Sequence, residues 1–263
     1  MKIGFLGAGK MAEAIVSALV QSGQCEPRDV IACDTSAERR EWMTKQYGVT
    51  VTDCPVEAAK KCRVLVLAVK PQDLGALLAS IKKFLTAKHL LISIAAGKTL
   101  AALKQPAARI VRVMPNLALM AQEGMSVYCA SKNAKPADKR LVAQMFGSAG
   151  AVLELPEKHF DAVTALSGSG PAFFAYMLNA MIEAAVALKL PKDEARLLAE
   201  QTLIGTGIYL QNTGRDIGEF IKAVASPKGT TAAGLAVLEK STLNAILAKT
   251  LTAAAVRSAE LRK

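Results

Sequence analysis

Apolar and polar positions along the first part of the chain predict strands and helices in alternation. Short β-branched or wholly apolar runs, typical of strands, are followed by segments whose apolar residues recur at helical spacing. The predicted strands cover residues 2–6, 30–33, 49–51, 63–69, 90–94, 109–114, 125–129 and 151–155. Helices are predicted after the first strand and at residues 37–47, 72–85 and 136–147. This alternation, with its almost entirely apolar strand at 63–69, predicts a parallel sheet covered by helices on both faces.

After residue 156 the pattern becomes helical throughout. The predicted helices cover residues 172–188, 192–210, 217–223 and 230–262, and they are rich in alanine and apolar on more than one face. A helix that is apolar on several faces has to be buried, and a segment of about a hundred residues has little core of its own. The pattern therefore predicts an interlocked homodimer, with a compact monomeric bundle as the alternative.

The first strand runs directly into a glycine turn that opens the first helix. Gly7 allows the tight turn, Gly9 lets a pyrophosphate approach the main chain, and Ala12 allows the helix to pack closely on the strand. The free N–H groups at the helix start then face an anion. The candidate cofactor-binding residues here are Gly7, Ala8, Gly9, Lys10, Met11 and Ala12. A glycine turn with a purely structural role is the alternative.

The second strand ends in an acidic residue, Asp34, about 20 residues after the turn, where a carboxylate binds a ribose hydroxyl. The residues that follow it, Thr35, Ser36, Arg39 and Arg40, could instead surround a 2′-phosphate, so we hypothesise a preference for NADPH over NADH. The alternative places both arginines on a solvated helix face. The turn and this acid predict an α/β fold with an N-terminal Rossmann-type doubly wound sheet at residues 1–156. A C-terminal all-helical dimerisation domain is predicted at residues 157–263.

The formal net charge of +11 invites comparison with nucleic-acid-binding proteins. The basic residues lie in short groups at 60–63, 82–83 and 132–140, with few aromatic residues beside them and no recognised binding motif. We therefore expect a solvated basic surface and no nucleic-acid partner. A positive field still favours anionic cofactors and substrates.

Cysteine usage and hydropathy bear on the compartment. The five cysteines are scattered and form no C-x-x-C pair, which predicts reduced thiols in a cytoplasmic protein and no metal site. The first predicted strand begins at residue 2, which leaves no room for a signal peptide. The most apolar segment, 173–190, is interrupted by Asn179, Glu183 and Lys189, so no run reaches the about 18 apolar residues of a membrane span. We expect no membrane association.

Six motifs resemble one family over nearly the whole chain. They are GAGKMA at 7–12, AVKPQ at 68–72, SIAAG at 93–97, RVMPN at 112–116, DAVTALSGSGPAF at 161–173 and SPKGTTAAGL at 226–235. In this order and spacing they resemble the pyrroline-5-carboxylate reductases. The sequence departs from the family pattern at Cys54-Pro55, Leu117-Ala118, Asp216-Ile217 and Lys228.

The resemblance implies hydride transfer from NADPH or NADH to the C=N carbon of 1-pyrroline-5-carboxylate, giving L-proline in the last step of proline synthesis. It also implies a helical domain that interlaces with its partner to complete the active site. Further cofactor contacts would come from Ala68, Val69, Lys70, Pro71, Ala95, Ala96, Gly97 and Asn116. The substrate would be held by Ser226, Gly229, Thr230 and Thr231.

A protonated cyclic imine is already electrophilic. The main task of such an enzyme is therefore to place C4 of the nicotinamide near the imine carbon. Thr231 is the candidate catalytic residue, since its hydroxyl could hydrogen-bond the imine nitrogen. Its alternative role is that of an ordinary threonine at a helix N-terminus. His89 and His159 lie outside the motifs, so we interpret both as structural.

The start of the long apolar helix near Thr230 is also a candidate site for the substrate carboxylate. Pro227 donates no hydrogen bond and Gly229 allows a close main-chain approach, so amide N–H groups converge there unpaired. The helix dipole and Lys228 add positive charge.

Three other functions remain open at this point. A β-hydroxyacid dehydrogenase shares the two-domain plan, but its G-x-G-x-x-x-K motif, counted from Gly168, would need a lysine where Phe174 stands. A related NAD(P)-dependent imine reductase or a non-catalytic NAD(P)-binding protein would keep the same fold.

Overall fold

A computed structural model describes residues 1–105 and 107–262. Their contacts form two compact units, one made of Met1–Ser169 together with the chain from Thr252 onward, and the other of Gly170–Leu251. This contact division differs from the predicted boundary after residue 156. The difference arises because residues 157–169 and the end of the last helix pack in the same unit as the sheet.

The first unit is built on an eight-stranded sheet in the order β3-β2-β1-β4-β5-β6-β7-β8. The strands are β1 (Ile3–Leu6), β2 (Val30–Cys33), β3 (Thr50–Thr52), β4 (Val64–Leu67), β5 (Leu90–Ser93), β6 (Arg109–Met114), β7 (Gly124–Ala130) and β8 (Gly150–Glu154). Neighbours are parallel except β6 and β7. The chain leaves β1 towards β2 and returns to β4 on the other side, so the topology reverses between β1 and β4. The predicted doubly wound sheet is confirmed.

Helices cover both faces of this sheet. They are α1 (Lys10–Gln21), α2 (Ala37–Tyr47), α3 (Pro55–Lys61), α4 (Leu74–Ile81), α5 (Pro136–Gly147) and the short α6 (Phe160–Val163). Along β4, Val64 and Val66 join the apolar cluster that includes residues of α1, α2 and α5. Leu65 and Leu67 join the cluster with residues of α3 and α4. Both faces of the strand are therefore buried, as a parallel sheet requires.

Two helix predictions in this unit need correction. The short helix α3 was not predicted, although Pro55 at its start and Lys61 at its end are typical of those positions. The predicted helix 72–85 is shorter in the structure, because α4 ends at Ile81 and a 3₁₀ turn, Lys82–Phe84, follows.

The second unit is helical. It contains α7 (Gly170–Ala187), α8 (Lys192–Thr213), α9 (Ile217–Val224), α10 (Thr230–Lys240) and the first part of α11 (Leu243–Glu260). The single helix predicted at 230–262 is wrong, because the chain breaks at Ser241. Ser241 ends α10, and its side-chain oxygen accepts a hydrogen bond at 3.1 Å from the amide of Leu243, the first residue of α11.

Candidate active site

The predicted cofactor segments meet at one edge of the sheet, beyond the carboxyl ends of its central strands. The Gly7 amide donates to the Cys33 carbonyl at 2.8 Å, and the Ala68 amide donates to the Leu6 carbonyl at the same distance. The ends of β2, β1 and β4 are therefore held side by side. This edge lies at the topological reversal, where ligands bind in open α/β sheets.

The glycine turn is built as the motif predicts. Gly7 has φ of +99°, and a β-carbon there would lie 2.7 Å from the carbonyl carbon of Ala68, so only glycine fits. Gly9 is different, because a β-carbon on it would meet nothing within 4 Å. Gly9 caps α1 without a side-chain hydrogen bond, which leaves the first N–H groups of the helix free. This open space beside free N–H groups fits a pyrophosphate.

Asp34 stands at the end of β2, as predicted, and its carboxylate is tied to the turn. Its Oδ2 accepts a hydrogen bond from the Ala8 amide at 2.8 Å. Its Oδ1 accepts one from the Ser36 amide at 2.9 Å. The carboxylate is thereby fixed beside the glycine turn, with further lone pairs available to a ribose hydroxyl.

Arg39, predicted to lie near a 2′-phosphate, points to the turn instead. Its Nε and Nη2 donate to the Ala8 carbonyl at 2.9 and 2.6 Å. Its Nη2 also lies 2.8 Å from Oε2 of Glu13. Arg40 donates to the carbonyls of Asp34 and Thr35. The two arginines thus bind protein groups rather than lying free on a solvated helix face.

The side chains of Thr35 and Ser36 are exposed at the start of α2. The Ser36 hydroxyl accepts a hydrogen bond from the Arg39 amide at 3.2 Å and so caps this helix. That hydroxyl is therefore partly engaged by its own helix.

A buried carboxylate, Glu13, was not among the predicted site residues. Its Oε1 accepts hydrogen bonds from the Trp42 indole at 2.7 Å and from the Tyr47 hydroxyl at 3.3 Å. Burial alone raises the pKa of Glu13. The hydrogen bonds from Trp42 and Arg39, with the charges of Arg39 and Lys10, outweigh it and hold this pKa below the ordinary value of 4.5. Glu13 is therefore a carboxylate at neutral pH.

The segments predicted to line the nicotinamide follow β4 and β5. Ala68 and Val69 are half-buried and Lys70 is exposed. Gly97 has φ of +75°, and a β-carbon there would lie 2.7 Å from Cβ of Leu261. The residue that follows α11, Leu261, therefore packs closely against this loop.

The segment predicted to bind substrate, residues 226–231, lies in the second unit. The Gly229 amide donates to the Ser226 carbonyl at 3.0 Å, and Lys228 has φ of +59°. Gly229 caps α10, and no side-chain hydrogen bond completes that cap. Neither the Thr230 nor the Thr231 hydroxyl therefore serves as the cap of this helix. Its free N–H groups and these hydroxyls form an arrangement that suits an anion.

Comparison with known proteins decides the family. Residues 2–97 match the family described as NADP oxidoreductase, coenzyme F420-dependent, and residues 157–261 match the family described as pyrroline-5-carboxylate reductase dimerisation. A pyrroline-5-carboxylate reductase of Arabidopsis thaliana is 38% identical over 262 residues, which are 99% of this chain and 95% of the relative. One of Methanosarcina acetivorans is 36% identical over 100% of this chain and 98% of the relative. The chain belongs to the pyrroline-5-carboxylate reductase family.

Solved structures of this family superpose closely on the chain. The pyrroline-5-carboxylate reductase of Coxiella burnetii has a TM-score of 0.94 at 33% identity, with 100% of this chain and 98% of the other covered. The pyrroline carboxylate reductase of Plasmodium falciparum, solved with NADP bound, has a TM-score of 0.89 at 30% identity over 100% and 98%. The resemblance of the six motifs to the family is thus confirmed.

A π-helical turn lies within the DAVTALSGSGPAF motif at 161–173. It covers Thr164–Gly168, and the Ser169 amide donates to the Thr164 carbonyl at 2.8 Å. A β-carbon on Gly168 would lie 2.5 Å from Cε of Met114, at the end of β6. The turn was not predicted. It brings this motif into contact with the RVMPN segment, and π turns are frequent at functional sites.

Two further predicted residues have structural contacts. The Asn116 carboxamide oxygen accepts a hydrogen bond from the Met125 amide at 3.2 Å, which ties the residue to β7. The His89 Nδ1 accepts one from the Thr86 amide at 2.9 Å, and its Nε2 lies 3.0 Å from the Ala59 carbonyl. His89 is thus held by the main chain on both sides.

The helical unit carries a large apolar surface. A groove of about 480 Å³ lies along α7 and α8, lined by Phe174, Met177, Met181 and Leu198 among others. By length and a mean hydropathy of 1.2, the helical run Glu157–Ala187 could also span a membrane. The match of residues 157–261 to a dimerisation family favours a second protein chain as the cover of this surface.

Proposed function

We propose that this chain reduces 1-pyrroline-5-carboxylate to L-proline with NAD(P)H, the last step of proline synthesis. The observation that carries the proposal is identity of 38% to a named pyrroline-5-carboxylate reductase over 99% of the chain. The dinucleotide turn, with open space at Gly9 and a fixed Asp34, supports it. Oxidation of NADPH by the purified chain, dependent on pyrroline-5-carboxylate and yielding L-proline, tests it.

In this proposal the first unit binds the cofactor. The N–H groups at the start of α1 hold the pyrophosphate, Asp34 faces the adenosine ribose, and the segments 68–71 and 95–97 line the remaining ribose and the nicotinamide. The bound nicotinamide supplies the hydride. The sequence hypothesis of NADPH over NADH is supported by the family relative solved with NADP, while the Asp34 carboxylate favours a free 2′-hydroxyl.

The substrate is held at residues 226–231. The carboxylate accepts hydrogen bonds from the free N–H groups of α10, whose dipole adds partial positive charge. The Thr231 hydroxyl donates to the neutral imine nitrogen and accepts from its N–H once that nitrogen is protonated. The chain thereby fixes the imine carbon rather than activating it, which matches the reactivity of an iminium ion.

We further propose that the working form is a homodimer with shared active sites. The apolar groove on α7 and α8 and the dimerisation match at 157–261 support this. The helical part, residues 157–263, then acts as the substrate and dimerisation domain, and residues 1–156 as the dinucleotide domain. Neither a nucleic acid nor a membrane is part of the proposal, and we place the enzyme in the cytoplasm.

The β-hydroxyacid dehydrogenase alternative is not favoured. The position where that family needs its lysine is Phe174, which lies in the apolar groove. Full-length identity to reductases of a cyclic imine also disfavours the non-catalytic alternative.

A further inference from the structure

We infer that Arg39 is a positioning residue that holds the pyrophosphate turn in its binding conformation through the Ala8 carbonyl, with Glu13 fixing the guanidinium. The inference deepens the proposed function, because it concerns the NAD(P)H site of that function. It differs from the sequence hypothesis, in which Arg39 contacts a 2′-phosphate directly.

The first observation is that both main-chain polar groups of Ala8, its amide and its carbonyl, form hydrogen bonds with side chains. Its amide donates to Oδ2 of Asp34 at 2.8 Å, and its carbonyl accepts from Nε and Nη2 of Arg39 at 2.9 and 2.6 Å. Ala8 stands between Gly7 and Gly9, and glycines leave the main chain free to adopt many conformations. Hydrogen bonds at both ends of the residue between them remove that freedom. They fix the direction in which Gly9 and the first N–H groups of α1 face the pyrophosphate.

The second observation is that Arg39 is itself held. Its Nη2 lies 2.8 Å from Oε2 of Glu13, whose side chain is only 4% exposed. The other oxygen of this carboxylate accepts from Trp42 and Tyr47, so its orientation is set by α2. A buried ion pair often contributes little net stability. The network is therefore better explained by the geometry that it imposes on Arg39.

The contacts of Arg39 favour positioning of the turn over direct contact with a 2′-phosphate. The Nη2 nitrogen of Arg39 donates to the Ala8 carbonyl at 2.6 Å and to Oε2 of Glu13 at 2.8 Å, with Sδ of Met43 a more distant third acceptor. A guanidinium that turned to a 2′-phosphate would leave the buried Glu13 without this partner. A phosphate contact stabilises NADPH alone, whereas a fixed turn serves the pyrophosphate, which NADH and NADPH share.

The test compares affinities for the two nucleotides. Dissociation constants of NADH and NADPH are measured by fluorescence titration, without substrate, for the wild type, Arg39→Met and Arg39→Lys. The control is Lys45→Met, which removes one positive charge from the exposed face of the same helix. Because two charge-assisted hydrogen bonds to the turn are lost, Arg39→Met should raise both constants about tenfold, and by the same factor within about twofold. Arg39→Lys should lie between Arg39→Met and the wild type, and Lys45→Met should stay within about twofold.

Steady-state kinetics of the same variants provide a second test. In Arg39→Met, the KM for NAD(P)H should rise while the KM for pyrroline-5-carboxylate and kcat at saturating nucleotide stay within about twofold. If Arg39→Met does not fold, Glu13→Gln replaces it, with an expected rise of about threefold in both constants because Arg39 is less firmly held.

Three results would overturn the inference. A loss confined to NADPH would make Arg39 a phosphate contact, and unchanged constants with a lower melting temperature would make its role purely structural. Failure of the wild type to bind either nucleotide would overturn the proposed function as well. Nucleotide binding without turnover of pyrroline-5-carboxylate would count against the proposed function alone.

Discussion

A β-carbon on Gly7 would lie 2.7 Å from the carbonyl carbon of Ala68, so the turn after β1 packs directly on the main chain that leaves β4. The close approach joins the glycine turn, where we propose the pyrophosphate binds, to the segment 68–71, which we propose lines the nicotinamide. Two glycines of the same motif therefore have different physical reasons to be glycine. Gly7 lies against protein, and Gly9 borders open space.

The two glycines predict separable effects of an added methyl group. Gly7→Ala should lower the melting temperature by several degrees, because φ of +99° and the contact with Ala68 both oppose a β-carbon. Gly9→Ala should leave the melting temperature nearly unchanged, since its φ is −67° and the space is empty. Gly9→Ala should still weaken nucleotide binding about tenfold or more, because its methyl group would occupy the proposed position of the pyrophosphate. Thermal melts and nucleotide titrations check both. Normal nucleotide affinity in Gly9→Ala would contradict the assigned pyrophosphate site.

Because the pKa of Glu13 is lowered in the folded protein, we expect Glu13 to contribute to stability in a way that depends on pH. Its pKa in the folded protein lies below 4.5, so the folded state favours the charged form. The stabilisation is therefore fully present above the unfolded value and is lost as pH falls below about 4.5 through the folded pKa. Melting temperatures measured from about pH 6 to about pH 3 should fall more steeply for the wild type than for Glu13→Gln. Equal acid sensitivity of the two proteins would show that Glu13 carries no such linkage.

We expect substitutions in the proposed substrate segment, residues 226–231, to lower kcat/KM for pyrroline-5-carboxylate without weakening cofactor binding. Thr231→Val keeps the shape of the side chain and removes the hydroxyl, and Ser226→Ala removes a second one. Hydrogen bonds to charged groups contribute about 1.5 to 3 kcal/mol, so kcat/KM should fall about ten- to a hundredfold in each variant. NADPH affinity should remain within about threefold because the proposed cofactor site lies in the other unit. Unchanged kinetics with a lower melting temperature in both variants would place the substrate elsewhere.

We expect a charge introduced into the lining of the apolar groove to disrupt the proposed dimer. Met181 lines the groove and is 64% exposed in the single chain. Met181→Glu should therefore shift the protein towards monomer and lower activity, whereas Met181→Leu should remain dimeric because it keeps the apolar surface. Sedimentation velocity at micromolar concentration checks the assembly. A fully active wild-type monomer under these conditions would refute the shared active site.

Much of the sheet could be predicted because its residues are determined by local pattern. The strands Val30–Cys33 and Arg109–Met114 agree with prediction at both ends, and the strand predicted at 63–69 contains the wholly apolar β4, Val64–Leu67. The conformation of the glycine turn was also predictable, since Gly7 and Gly9 are separated by a single residue. The break in the long C-terminal helix was missed, although Ser241 is a typical helix-capping residue, because the apolar pattern continues on both sides of it.

The Arg39 contacts could not be predicted from the sequence. They depend on the way α1 and α2 pack on one face of the sheet, which brings Glu13 and Arg39 within 2.8 Å. The pattern alone showed only an arginine near a candidate phosphate site. The π turn at Thr164–Gly168 was missed for a related reason, because its residues have the same apolar spacing as an ordinary helix.

The most direct test of the account is turnover by the purified wild-type chain with pyrroline-5-carboxylate. We predict that NAD(P)H absorbance falls only when this substrate is present and that L-proline forms in equal amount to the NAD(P)H oxidised. Thr231→Val, assayed beside the wild type, should show the loss of about ten- to a hundredfold expected for that hydroxyl. A wild-type protein that is folded, dimeric and able to bind NADPH, yet forms no L-proline, would contradict the assignment of this chain as a pyrroline-5-carboxylate reductase.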